Sequence, residues 1–337
     1  MSKKNYYILL GNGFTIDLIK YLSEKKNKAI DVNVANLFAN GELVPWPGND
    51  KPGFLSYRYC PNLWTLGARP NMSNEDAINL IEDIITCANI LHKNNKKSEN
   101  IYIKAYKELV TYLQALFVYY NKQININTED ISEWSWYQFL NKIYNSEEVD
   151  KIHIITFNYD IWLERIFKKH NIDFSVSNID EEANNKKIII YKPHGSISFS
   201  HKVKREKEAF DIRYDSDSND GEIIDFKINY ENDSLNLINA IIPPAGDSSR
   251  LDFKWAKEIR DKAKLIASEL TKEDELLICG LSYWHVDRLE IDSLLTNINP
   301  NIEEIKVINP FTPKVFNAII TTLFDKVIFY SNSKPLL

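Results

Sequence analysis

The chain has 337 residues, 44% of them apolar, enough for one large domain or two smaller ones around a sizeable core. Its 47 acidic and 41 basic residues leave a net charge of −6, which argues against unassisted binding to nucleic acid. No stretch approaches the roughly 20 apolar residues of a membrane-spanning helix, and three scattered cysteines, Cys60, Cys87 and Cys279, exclude a four-cysteine zinc site within one chain and fit a reducing cytoplasm.

The start, Met1 to Asn5, lacks the long apolar region of a signal peptide. Tyr6-Tyr7-Ile8-Leu9-Leu10 reads as a buried strand. Gly11-Asn12-Gly13-Phe14-Thr15 follows. Its glycines allow a tight turn and a close approach of backbone to ligand. Ile16 to Tyr21 can start a helix whose first N–H groups point at a phosphate. The third glycine of the dinucleotide fingerprint is missing, so a plain strand-turn-helix bend is the alternative.

Residues 41–72 are rich in proline and glycine and read as an irregular segment anchored by Trp46 and Trp64. Helical periodicity then covers Asn74 to Leu91, capped by Ser73 or Asn74, and Ile101 to Tyr120; a third helix is expected from Trp134 to Tyr144. Residues 31–144 therefore read as a mainly helical insertion over the mouth of the sheet. It serves either as core or as a lid or oligomer surface.

Lys151-Ile152-His153-Ile154-Ile155 is the next strand, and Thr156-Phe157-Asn158-Tyr159-Asp160 follows it. Either Asn158 or Asp160 can cap the helix that comes next; the functional reading uses both. Lys187 to Tyr191 is a third strand. Pro193 stops it, and His194-Gly195-Ser196 is expected on a loop. His194 can take a proton near neutral pH, or it is a structural loop histidine. His92, His153, His170, His201 and His285 lack this context and read as surface or packing residues. Between 200 and 236, Lys202, Lys204, Arg205 and Lys207 give way to Asp211, Asp215, Asp217, Asp220 and Asp225, which suggests a solvated hairpin or mobile loop. Ile241-Ile242-Pro243-Pro244-Ala245-Gly246 ends a short strand. Glu275 to Cys279 is another, followed by Gly280-Leu281-Ser282 and, five residues on, Asp287. Ile305 to Ile308 is the last of these, and Asn309 either binds ligand or closes a turn before Pro310.

This ordered set resembles the sirtuin-like NAD-hydrolase family that bacteria use in anti-phage defence. Sirtuins carry a Gly-Ala-Gly loop, a Thr-Gln-Asn-x-Asp loop, a His-Gly pair and a Gly-Thr-Ser loop in that order. Here these stand as Gly11-Asn12-Gly13, Thr156 to Asp160, His194-Gly195 and Gly280-Leu281-Ser282. The resemblance covers residues 5–17 and 151–330 and is silent between them. Two departures are informative: the paired Cys-x-x-Cys zinc module is missing, and Ile16-Asp17-Leu18-Ile19 replaces the Gly-Ile-Pro-Asp-Phe-Arg stretch. Both argue against acyl-lysine chemistry.

The pattern predicts an α/β fold, a doubly wound, mostly parallel Rossmann-like sheet with a helical insertion. Strands are expected near 6–10, 152–156, 187–192, 275–279, 304–308 and 326–330, and helices near 254–270, 286–296 and 312–322. Residues 1–30 and 145–337 would form the NAD-binding domain. The resemblance implies hydrolysis of NAD to nicotinamide and ADP-ribose. Asp160 would anchor the carboxamide, Asn158 would position the ribose and the attacking water, and His194 would be the base. Gly11, Asn12, Gly13 and Ser282 would cradle the diphosphate and Asn309 the adenosine ribose, with Phe14 and Gly280 also among the cofactor-binding residues. NAD is the substrate, and neither a further cofactor nor zinc is required. Expected partners are further copies of the chain or a sensor or NTPase protein, with no nucleic acid or membrane. A non-catalytic module sensing NAD or ADP-ribose is the alternative, and a deacylase is the less favoured one.

Overall fold

The computed structural model describes residues 3–337 except 50, 94–99, 177–178, 180–184, 203–209, 213, 215–220, 232–238, 245–252 and 284–286. His285, most of the charge run after residue 202, and Ala245 and Gly246 lie outside the described residues, as does the side chain of His92.

The strand β1 (Lys4–Leu10) sorts the molecule into layers. Its side chains alternate: Tyr6, Ile8 and Leu10 enter one hydrophobic core, and Tyr7 and Leu9 enter another. A strand covered on both faces needs this continuous apolar run. Helix α1 (Asn12–Lys26) follows without a linker, and Asn27 ends it at φ 48°, a left-handed position that asparagine tolerates. The helix begins at Asn12 rather than Ile16, because Gly11 already has the extended backbone of an N-cap.

The insertion supplies α2 (Pro61–Thr65), α3 (Asn74–Lys93), α4 (Ile101–Gln123) and α5 (Ser135–Asn145). Ser73 Oγ accepts the Asp76 N–H and so caps α3. In the irregular stretch, Trp46 stacks on Tyr59 with ring centres 4.3 Å apart. Trp64 lies under the Arg69 guanidinium. Residues of α3, α4 and α5 share one core with Tyr6, Ile8 and Leu10. The hydroxyls of Tyr112 and Tyr120 on α4 donate to the carbonyls of Leu37 and Asn33 at 2.7 and 3.0 Å. They tie down the segment between α1 and α2.

The chain continues through β2 (Val149–Thr156), α6 (Trp162–Lys169), β3 (Phe174–Val176), β4 (Ile188–Tyr191), β5 (Gly195–His201), β6 (Phe226–Ile228) and β7 (Asn239–Ile241). Then come α7 (Lys254–Glu269), β8 (Glu275–Cys279), α8 (Arg288–Leu295), β9 (Ile305–Ile308), α9 (Lys314–Leu323) and β10 (Val327–Tyr330). Seven strands form one sheet in the order β10-β9-β8-β1-β2-β4-β3, with every neighbouring pair parallel. Residues of α7, α8 and α9 pack on the face bearing Tyr7 and Leu9. This is the expected doubly wound arrangement. From β1 the chain builds outward one way through β2 and the other way through β8, so the β1/β8 boundary is the topological switch point.

Two features depart from the sequence reading. The short edge strand β3 has only three residues, too few for a periodic signal. The segment Gly195–His201 is not a loop but the central strand of a second, antiparallel sheet ordered β6-β5-β7. Pro193 does end β4, but the chain re-enters extended structure two residues later. Among the described residues, no helix is long and apolar enough to cross a membrane.

Candidate active site

Register brings the predicted segments to one edge. Leu10 pairs with Thr156 on one side and with Cys279 on the other, and Cys279 pairs with Ile308. Gly11, Phe157, Gly280 and Asn309 therefore leave the sheet level with one another, at the strands' carboxyl ends.

The two glycine loops meet backbone to backbone. Gly13 N–H donates to the Gly280 carbonyl at 3.1 Å, and Gly11 N–H donates to the Cys279 carbonyl at 2.9 Å. A Cβ on Gly13 would lie 2.3 Å from Gly280 Cα, and a Cβ on Gly11 would lie 2.6 Å from the Gly280 oxygen. Gly280 itself has φ +61°, a region that disfavours side chains. The glycines are thus demanded first by loop-on-loop packing. A side chain added at Gly11 or Gly13 would meet the other loop.

In front of this junction lies a cleft of about 560 Å³. Asn12, Gly13, Gly280, Ser282 and Asn309 line it, whereas Gly11, also expected at the ligand, does not. Val34, Ala35, Leu37, Asn74 and Ile78 add a wall from the insertion. Asn309 Nδ2 donates to the Leu281 carbonyl at 3.1 Å, and its Oδ1 accepts the Phe311 N–H. It therefore also closes the turn around Pro310. Phe14 is a correction: it is buried between Trp134 and Trp136, with ring centres 5.3 Å away in each case, and lines no part of the cleft.

Asn158, Asp160 and His194 are not among the residues lining the cleft. They are 4%, 6% and 2% exposed: His194 does stand on the loop after β4, but it is buried there, as are Asn158 and Asp160 after β2. Asn158 Nδ2 donates to the Gly11 carbonyl at 3.1 Å and to Thr15 Oγ1 at 3.0 Å. A carbonyl only accepts, so the amide nitrogen must face it. The amide oxygen Oδ1 is consequently left buried with no hydrogen-bond partner. Thr15 in turn donates to Asp160 Oδ2 at 2.8 Å, and Asp160 Oδ1 accepts the Trp162 N–H at 3.3 Å at the start of α6. Burial pushes the Asp160 carboxyl above its ordinary range, while the Lys192 ammonium opposes that shift. Lys192 Nζ donates to the Asp160 carbonyl at 2.5 Å and pairs with Glu164 at 2.7 Å, both side chains 1% exposed.

His194 stands between β4 and β5. Its ring packs edge-on against Phe157, with ring centres 5.0 Å apart. Its Nε2 pairs with Glu290 Oε2 at 2.8 Å, and Glu290 Oε1 accepts Arg260 Nε–H at 3.0 Å. Gly195 follows at φ +82°, where a Cβ would lie 1.7 Å from the Ala240 carbonyl oxygen. This holds the start of β5 against β7. The sequence reading missed Thr15, Lys192, Glu164, Arg260 and Glu290 as members of these networks. Thr15 lay within a quoted motif. Glu290 and Arg260 sit on helical faces, where a charged residue ordinarily reads as solvated.

Residues 152–291 match the family model of the SIR2-like domain. The match supports a sirtuin-like family for this stretch, which runs from within β2 to within α8. It includes Asn158, Asp160, His194, Gly280, Ser282 and Glu290. The glycine loop after β1 and Asn309 fall outside it, joined to it by the shared sheet. No curated protein matches the chain.

Proposed function

We propose that the protein is an NAD glycohydrolase, cleaving NAD to nicotinamide and ADP-ribose. The observation that carries this reading is the buried, unpartnered Asn158 Oδ1 behind the glycine loop at the switch point. An acceptor held in this way suits a ribose hydroxyl or an attacking water. The SIR2-like stretch supports NAD chemistry in general.

The adenosine diphosphate part lies along the cleft, between Gly13, Ser282 and Asn309. The pyridinium is a good leaving group, so the demand is to hold the ribose as it becomes oxocarbenium-like. The C–N glycosidic bond breaks and its electron pair stays on nicotinamide. A C–O bond forms to water, and His194 takes the water's proton and releases it to solvent. Asp160, engaged by Thr15 and the start of α6, contributes by fixing the Asn158 amide, and a further lone pair is available for the carboxamide. Reaching Asn158 from the cleft requires displacement of the surrounding loops, which fits an enzyme restrained until it is activated. Assembly with further copies, or with a sensor or NTPase protein, is the proposed trigger. The role as an anti-phage effector rests on the family resemblance alone.

The burial of Asn158 and His194 behind the cleft also favours a second reading, a non-catalytic module that senses NAD or ADP-ribose. Nicotinamide release by the purified protein, alone and with its genomic neighbours' products, separates the two. Binding of NAD without release under every condition would leave the sensor.

A further inference from the structure

We propose that Glu290, braced by Arg260, is a positioning residue that fixes the tautomer of His194 and leaves Nδ1 as the nitrogen that takes the proton. The proposal rests on the hydrolysis reading above.

The geometry constrains where the hydrogens sit. Arg260 is always charged, and its Nε–H occupies Glu290 Oε1 at 3.0 Å. The other oxygen lies 2.8 Å from His194 Nε2. A carboxylate only accepts, so Nε2 must carry the hydrogen, and in the neutral ring the lone pair is then on Nδ1. All three side chains are at most 5% exposed, so water competes little for these bonds.

Three elements hold the His194 side chain in place. Glu290 comes from α8, and Arg260 from α7 behind it. The end of β2 presents the Phe157 ring, and β7's end offers only the Ile242 N–H, which binds the His194 carbonyl at 2.9 Å. The Arg260 guanidinium holds the Glu290 carboxylate in place against the ring. When Nδ1 accepts the proton, the imidazolium formed already touches a carboxylate. An orienting carboxylate plays this part in other histidine-dependent sites.

The test uses the full-length protein with ¹⁵N-labelled histidine. His194 signals are assigned by their loss in His194→Gln. In the unaltered protein, His194 should show a hydrogen-bearing Nε2 and a bare Nδ1. In Glu290→Gln the ring should shift toward mixed tautomers, and the rate of nicotinamide release should fall on the order of 100-fold, with NAD affinity within about twofold of the starting value. If Glu290→Gln is too unstable, because Arg260 loses its partner, the double variant Arg260→Gln/Glu290→Gln removes both charges and should show the same loss. Unchanged nitrogen signals, or full activity in either folded variant, would overturn the proposal. Should the unaltered protein release no nicotinamide either alone or with its genomic neighbours' products, the hydrolysis reading fails, and the tautomer measurement alone still decides the pairing.

Discussion

Tyr214 donates its hydroxyl to Glu108 Oε1 at 2.8 Å, joining the stretch after β5 to the centre of α4. Glu108 is fully buried and also accepts the backbone N–H groups of Asn62 and Leu63, so one carboxylate caps α2 and holds a distant strand connection. Burial raises the Glu108 carboxyl, and these donors pull it back. Tyr214→Phe removes one donor while leaving the others. It should cost about 1–2 kcal/mol and make the chain near residue 210 more open to proteolysis. Denaturant melts and limited digestion measure the two effects; no change in either would detach Tyr214 from this role.

The glycine junction gives a sharper result. Gly13→Ala should destabilise the protein by roughly 1–3 kcal/mol, because the new carbon meets backbone that cannot rotate away. Gly280→Ala should cost more, since it adds left-handed backbone strain to the same clash. NAD affinity should fall in both variants. A stable Gly13→Ala protein that merely lost NAD affinity would return the glycine to a ligand-space role.

Asn158→Ala and His194→Ala should each abolish NAD cleavage. Both are buried, so a stability cost is expected as well: Asn158→Ala strands the Gly11 carbonyl, at about 1–3 kcal/mol. His194→Ala should retain much of its NAD affinity, because a base acts mainly in the transition state. Calorimetry under conditions where the variants are folded separates these effects. Turnover like that of the unaltered protein in either variant would remove the residue from the chemistry.

His153 on β2 supplies a pH dependence. Burial lowers its pKa from 6.5 to about 4, and its Nδ1 lies 3.2 Å from the Tyr191 hydroxyl. Its folded value lies below its unfolded one, so the unfolded chain binds more protons in that window. The contribution is therefore present above about pH 6.5 and is lost as pH falls toward 4, amounting to about 3 kcal/mol across the window. His153→Gln keeps a partner for Tyr191 and takes no proton. Its stability curve between pH 7 and 4 should be correspondingly flatter, and an identical slope would show that other groups set the acid response.

Hydrogen exchange across the insertion should separate its two parts. Segment 33–38 lines the cleft, whereas α4 is buried through most of its length. Ligand or activating partner should alter protection in the former and leave α4 unchanged. Uniform change across both would mean that the whole layer moves.

Much of this was legible in the sequence because buried parallel strands are written as short apolar runs. Tyr6–Leu10, Glu275–Cys279 and Ile305–Ile308 fall within a residue or two of their observed limits. The elements that escaped are those whose formation depends on distant partners. β5 contains Ser196, Ser198 and Ser200 at alternate positions, all buried, so the usual polar-outside signal misleads. The site divides in the same way. Glycines and asparagines at strand ends show themselves locally. The pairing of His194 with Glu290, 96 residues later, exists only once α8 has docked.

The core that joins Tyr6, Ile8 and Leu10 to the helices of the insertion leaves the chain without a detachable half. A truncation that kept only the sheet and its loops would bare an apolar surface the width of the strands and should precipitate. Grafting the site onto a smaller scaffold would require a new covering for that face. Sequence change at Tyr6 and at Phe139 on α5 is bound to be correlated, since their rings pack edge to face with centres 5.9 Å apart.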